Sequence, residues 1–187
     1  MTHDNDYQST DLDLLDDSTE EIVADDGLTP EDFQRFLAGE VTWGELQGLT
    51  MEDAYAIADL GHKQMTAGRL GEAQAIFEGL VVSNPYDAYF HNVLGCVYAK
   101  KKMHPEAIEE FTIAIDLDPT QVSPYTFRAE LLLQHGEFDR ALKDLRKVDE
   151  LDPDSKQPQT QRARALASAT ASILQGILGT GQHQAMP

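Results

Sequence analysis

Four columns of residues recur along this chain at a spacing of 34. Gly61, Gly95 and Ala129 form the first, Ala73, Ala107 and Ala141 the second, Phe77, Phe111 and Leu145 the third, and Pro85, Pro119 and Pro153 the fourth. Weaker columns run beside them: Leu80, Ala114 and Val148; Asn84, Asp118 and Asp152; and Leu60 with Leu94, where Arg128 breaks the pattern. A period of this length accommodates one antiparallel helix pair per repeat. The proline closes each pair and admits the next, because its ring cannot continue a helix. A lone helix pair cannot bury its apolar face, so consecutive pairs must stack.

The column chemistry predicts how each pair closes. A small residue on the first helix (Gly61, Gly95, Ala129) is expected to face a small residue on the second (Ala73, Ala107, Ala141), letting the two backbones approach. Phe77, Phe111 and Leu145 follow one helical turn after those alanines and are expected to cover that contact. The intervening turns read TAGRLGEA, KKKMHPEA and QHGEFDRA. Gly68 and Gly136 suit left-handed helix termination, and Pro105 suits a helix start. The expected fold is all-α: a right-handed α-solenoid of three tetratricopeptide repeats, 54–87, 88–121 and 122–155.

The flanks supply expected caps. Residues 28–53 read as N-terminal capping helices: Thr29 before Pro30, Glu31 and Asp32 opens one, TWGELQGL is a shorter element, and Thr50 with Asp53 resembles a capping box. Residues 156–178 are expected to form a C-terminal capping helix, GILGTG to be its frayed end, and 179–187 to be a flexible tail.

Charge is concentrated at one end. Of 33 acids and 14 bases, residues 1–27 hold ten acids and no base, too polar a stretch to offset chain entropy by burial, so a disordered acidic leader is expected. It reads as a solubilising tail or as a segment that covers the chain's own binding surface. No basic stripe is present to neutralise phosphates, which excludes nucleic acid as an expected partner. Apolar stretches are interrupted by charge within a few residues, so no membrane insertion is expected. A single cysteine, Cys96, suits a reducing, cytoplasmic compartment. Histidines 3, 62, 91, 104, 135 and 183 show no paired ligand spacing, and GILGTG lacks the preceding strand and following Lys-Ser/Thr of a phosphate loop. No enzyme activity, metal or cofactor is expected.

A solenoid exposes a continuous concave surface built from its first helices, and function should lie there. The positions not consumed by hairpin packing are Tyr55, Ala58, His62 and Met65; Tyr89, Asn92, Cys96 and Ala99; and Ser123, Thr126, Glu130 and Leu133. Apolar spots alternate with amides and hydroxyls, a combination suited to an extended peptide. The expected peptide-binding groove is Tyr55, Ala58, His62, Met65, Tyr89, Asn92, Cys96, Thr126, Glu130 and Leu133.

The run FLAGEVTWGELQGL, the segment from MTAGRLGEA to IAIDLDP, and PYTFRAELLLQHGEFDRAL resemble the class II chaperones of bacterial type III secretion, the SycD/LcrH-like translocator chaperones. The resemblance covers about Leu28 to Leu174. It implies a bacterial cytoplasmic chaperone that holds a hydrophobic secreted translocator through an extended segment in the groove, and N-terminal helices that can pair two copies. That family favours aromatic residues where this chain has Ala58, His62 and Met65, implying a wider first pocket. The alternative is a general protein-binding adaptor or assembly scaffold. A carboxylate clamp for heat-shock protein termini would need Lys, Asn, Asn, Lys and Arg, where this chain has Ala58, His62, Val93, Ser123 and Phe127.

Overall fold

Every regular element among the described residues is an α-helix. The computed structural model describes residues 28–182; the expected acidic leader and residues 183–187 lie outside the described residues. The chain divides into two units, Met1–Val41 and Thr42–Pro187. In the first, α1 (Pro30–Leu37) opens on a capping box in which Thr29 and Asp32 satisfy one another's backbone N–H. Those bonds from Thr29 hold the Asp32 carboxyl below the usual carboxylate range.

The second unit contains α2 (Trp43–Leu46), α3 (Met51–Thr66), α4 (Leu70–Ser83), α5 (Ala88–Lys100), α6 (His104–Leu117), α7 (Val122–Gln134), α8 (Phe138–Leu151) and α9 (Pro158–Gln182). The pairs α3/α4, α5/α6 and α7/α8 are the three hairpins, α2 packs on α4, and α9 packs on α7 and α8. Thr42 with Glu45 and Thr50 with Asp53 form further capping boxes, each cap contributing about 0.5–2 kcal/mol. The first hairpin starts at Met51, after the Thr50 cap expected to open it. The end of α9 differs from expectation: the helix runs unbroken through Gly176 to Gln182.

The small-residue columns pack differently from the expected small-on-small contact. A methyl group added to Gly61 would come within 2.6 Å of the Phe77 ring, and one added to Gly95 within 2.7 Å of the Phe111 ring. Thus the aromatic ring itself lies on the glycine. The third hairpin confirms the complementarity: its first position is Ala129 and its second Leu145, both buried in one cluster. Where the first helix adds a methyl, the second gives up a ring.

After the second and third hairpins, the aspartate before the proline supplies hydrogen-bond acceptors. Asp152 accepts from Thr160 Oγ1 at 2.7 Å and from the N–H groups of Gln157 and Lys156, which holds its carboxyl below the usual range. Asp118 accepts from the Thr120 hydroxyl and N–H. Arg128, the residue that breaks the leucine column, makes a paired contact with Asp144: Nε donates to Oδ2 at 2.8 Å and a terminal nitrogen to Oδ1 at 2.7 Å. Its other terminal nitrogen donates to Thr112 Oγ1 at 2.9 Å, tying α7 to both α8 and α6.

Buried His91 pins the junction between the first two repeats. Nδ1 lies 2.7 Å from Glu110 Oε2 and Nε2 lies 3.0 Å from the Pro85 carbonyl oxygen. Both partners accept, so both ring nitrogens must carry protons to satisfy them, and the imidazolium is the form that fits. Burial opposes that charge, but the bonds to Glu110 and Pro85 together with the Glu110 charge outweigh it, and the pKa lies above the ordinary histidine value. A raised folded-state pKa stabilises the fold fully below about pH 6.5 and progressively less as pH rises through the folded value. Urea unfolding should therefore show stability falling as pH rises above about 6.5, and His91→Gln should remove most of that slope. An unchanged slope in the variant would assign the pH dependence to other groups.

Candidate peptide-binding groove

The first helices of the three hairpins present two distinct patches. In the first, between α3 and α5, the Tyr55 hydroxyl donates to Asp87 Oδ2 at 2.8 Å, while Asp87 Oδ1 caps α5 by accepting from the Tyr89 N–H at 2.8 Å. One carboxylate thus sets both the start of α5 and the position of the Tyr55 ring. Tyr55 and Tyr89 have ring centroids 5.6 Å apart, and His62 Nε2 lies 2.6 Å from the Tyr89 hydroxyl oxygen, in hydrogen-bond contact. The His62 ring in turn meets the edge of Phe77, placing this wall on the hydrophobic core. Tyr55 is 44% exposed, and Tyr89 and Met65 are half-buried against the core. Burial first, then the charges of Asp59 and Asp87, raise the Tyr89 phenol pKa, so the hydroxyl keeps its proton at neutral pH.

The second patch is a cavity of about 410 Å³ whose lining includes Cys96, Phe127, Glu130 and Arg162. Arg162 comes from α9, donates to Glu130 at 2.6 Å and lies 5.8 Å from the centroid of the Phe127 ring. Burial pushes the Cys96 thiol up to about 12, against the lesser opposing charges of Lys100 and Arg162, so this sulfur is a neutral wall group.

Three of the expected groove residues belong to the interior. Ala58 and Thr126 are fully buried, and the Thr126 hydroxyl donates to the backbone of Val122 and of Gln159 on α9. Asn92 is 9% exposed, and its amide pairs with the Ser123 hydroxyl. Asn92 joins α5 to α7 and Thr126 joins α7 to α9, a demand that periodicity along a single helix cannot reveal. Leu133 is half-buried against the third-repeat cluster. Tyr55, His62 and Tyr89 come together as one surface; Cys96 and Glu130 come together in the second cavity.

Ala99, also expected on the concave surface, lines the same cavity, whereas Arg162 and Lys102 were not among the expected residues. Arg162 stands 34 residues after Arg128, beyond the three repeats over which the columns run. Lys102 stands in register with Gly68 and Gly136 and breaks their column. All three turn positions have left-handed backbones, with φ of 77°, 65° and 76° in chain order.

Family models described as Tetratricopeptide repeat match residues 58–122 and 122–155, together more than half of the 187 residues. The chain is a tetratricopeptide-repeat protein. Among curated proteins, this tetratricopeptide-repeat protein is 31% identical over 78 residues to Protein NPGR2 of Arabidopsis thaliana, a match covering 42% of this chain and 11% of the relative. It therefore spans only a small part of that relative's length. Among solved structures, it is similar to the type III secretion translocator chaperone SycD of Yersinia enterocolitica, with a TM-score of 0.62 at 23% identity over 68% of this chain and 97% of the other. A structure of PcrH in complex with the chaperone binding region of PopD matches with a TM-score of 0.61 at 26% identity, over 67% of this chain and 96% of that one.

Proposed function

We propose that this tetratricopeptide-repeat protein is a bacterial cytoplasmic chaperone that holds an extended apolar segment of a hydrophobic secreted translocator on the faces of α3 and α5. The observation that carries this reading is the Tyr55–His62–Tyr89 surface. It offers exposed ring area beside fixed hydroxyl and imidazole groups, so a client can bury apolar side chains while its backbone finds polar partners. The match to PcrH, captured with a segment of PopD and paralleled over almost its full length, supports the same use of the fold. Among the described residues no helix is long and apolar enough to cross a membrane. Pairing of two copies through the N-terminal helices is part of this proposal.

The test is co-expression with the hydrophobic product of an adjacent reading frame. The chain should keep that product soluble, and Tyr89→Ala should weaken binding of its extended segment by about 2 kcal/mol, roughly 30-fold. Tyr89→Phe, which keeps the ring and loses the bond to His62, should cost less. If Tyr89→Ala binds the client normally, the surface has another role. A general adaptor would show no preference for such a product.

A further inference from the structure

We propose that the cavity between the second and third repeats is a second recognition site, selecting an internal protein segment that carries one large apolar side chain flanked by acidic residues. This rests on the groove reading above and adds to it the chemistry of the bound segment.

Charge is the first observation. The chain has more than twice as many acids as bases, yet this cavity is lined by Lys100, Lys102 and Arg162 against the single carboxylate of Glu130. Four other cavities of the described residues have linings that are neutral or net negative in Lys, Arg, Asp and Glu. Arg162 is neutralised by Glu130, but no ion pair holds Lys100 or Lys102 among the described residues. Beneath these cations, Phe127 and Leu131 supply an apolar wall, with Phe111 packed behind. A carboxylate reaching the rim and a neighbouring apolar side chain entering the cavity are therefore complementary to it.

Backbone strain is the second, independent observation. The turn of each hairpin requires a left-handed residue, and the first and third repeats use Gly68 and Gly136 there, while the second uses Lys102 at φ 65°. A side chain disfavours that conformation. Glycine would serve the turn better, and the lysine placed there instead projects onto the cavity. Strained backbone clusters at ligand sites, and here the strained residue's side chain lines the cavity.

The test uses the full chain and two dye-labelled, C-terminally amidated hexapeptides. In one, a Leu-Phe core is flanked on each side by two Asp; in the other, every Asp is Asn. At about 50 mM salt the Asp peptide should bind at least tenfold more tightly by fluorescence anisotropy, and the advantage should shrink at high salt as screening shortens the reach of the charges. Lys102→Gly should abolish most of the advantage while raising the melting temperature by roughly 2–4 °C, the shift expected when strain of this kind is relieved in a chain of this size. A residue with only a structural role would not move the two in opposite directions. Glu130→Gln, by releasing Arg162, should tighten the Asp peptide several-fold. Equal binding of the two peptides, or an Asp advantage that survives Lys100→Gln combined with Lys102→Gly, overturns the proposal. If both peptides bind equally and Tyr89→Ala weakens both, the groove reading stands and this one falls. If neither peptide binds and no apolar client segment binds either, both fall.

Discussion

Phe111→Ala is expected to cost about 3–5 kcal/mol in urea or guanidinium unfolding, the range for truncating a fully buried phenylalanine. Phe111 has no exposed surface. Its ring lies on the Gly95 backbone, and its centroid is 5.8 Å from that of Phe127 in the next repeat. Removing it opens a cavity at the joint between the second and third hairpins, where neither helix can collapse because both are held by their neighbours. The companion variants test the glycine–ring fit itself. Gly95→Ala should cost about 1–3 kcal/mol by overpacking against the same ring. Adding Phe111→Leu, which imitates the Ala129–Leu145 pairing of the third repeat, should cost less than the two single changes summed. Strict additivity would mean that the ring and the glycine do not constrain one another.

Asp144→Ala is expected to destabilise by about 3–5 kcal/mol, because it strands Arg128 in a site only 15% exposed. The pair itself is a different matter. Desolvating two charges offsets much of their attraction, and the first two repeats place Leu60 and Leu94 at the position of Arg128. The double variant Arg128→Leu with Asp144→Leu should therefore recover most of the lost stability, and apolar replacement of such pairs is often neutral or stabilising. A double variant as unstable as Asp144→Ala alone would show that the bond from Arg128 to Thr112, or the volume of the guanidinium, is what the joint requires.

The 34-residue columns made three hairpins legible in the sequence, because hairpin packing is set by nearest neighbours along the chain and repeats itself. The caps were equally legible at Thr29 and Thr50, where a hydroxyl and a carboxylate three residues apart suffice to satisfy local N–H groups. Tyr55, His62 and Tyr89 could be named from position alone, since they occupy outward-facing slots on their helices. Contacts between successive first helices were not legible. Asn92 meets Ser123 and Thr126 meets the backbone of Gln159 across the stack, so residues that looked outward on one helix are covered by the next. The packing of Phe77 and Phe111 on glycine depended on the distance between two backbones, which spacing does not encode. The second cavity lay furthest from view: it joins a strained turn at Lys102, two helices from different repeats and Arg162 from α9. Local periodicity determines the repeating unit because its energetics are local, and it relates Tyr55 to Tyr89 and Cys96 to Glu130, each pair 34 residues apart; which of the residues in equivalent positions stay exposed and which are covered is decided by stacking, because that depends on the neighbouring helix.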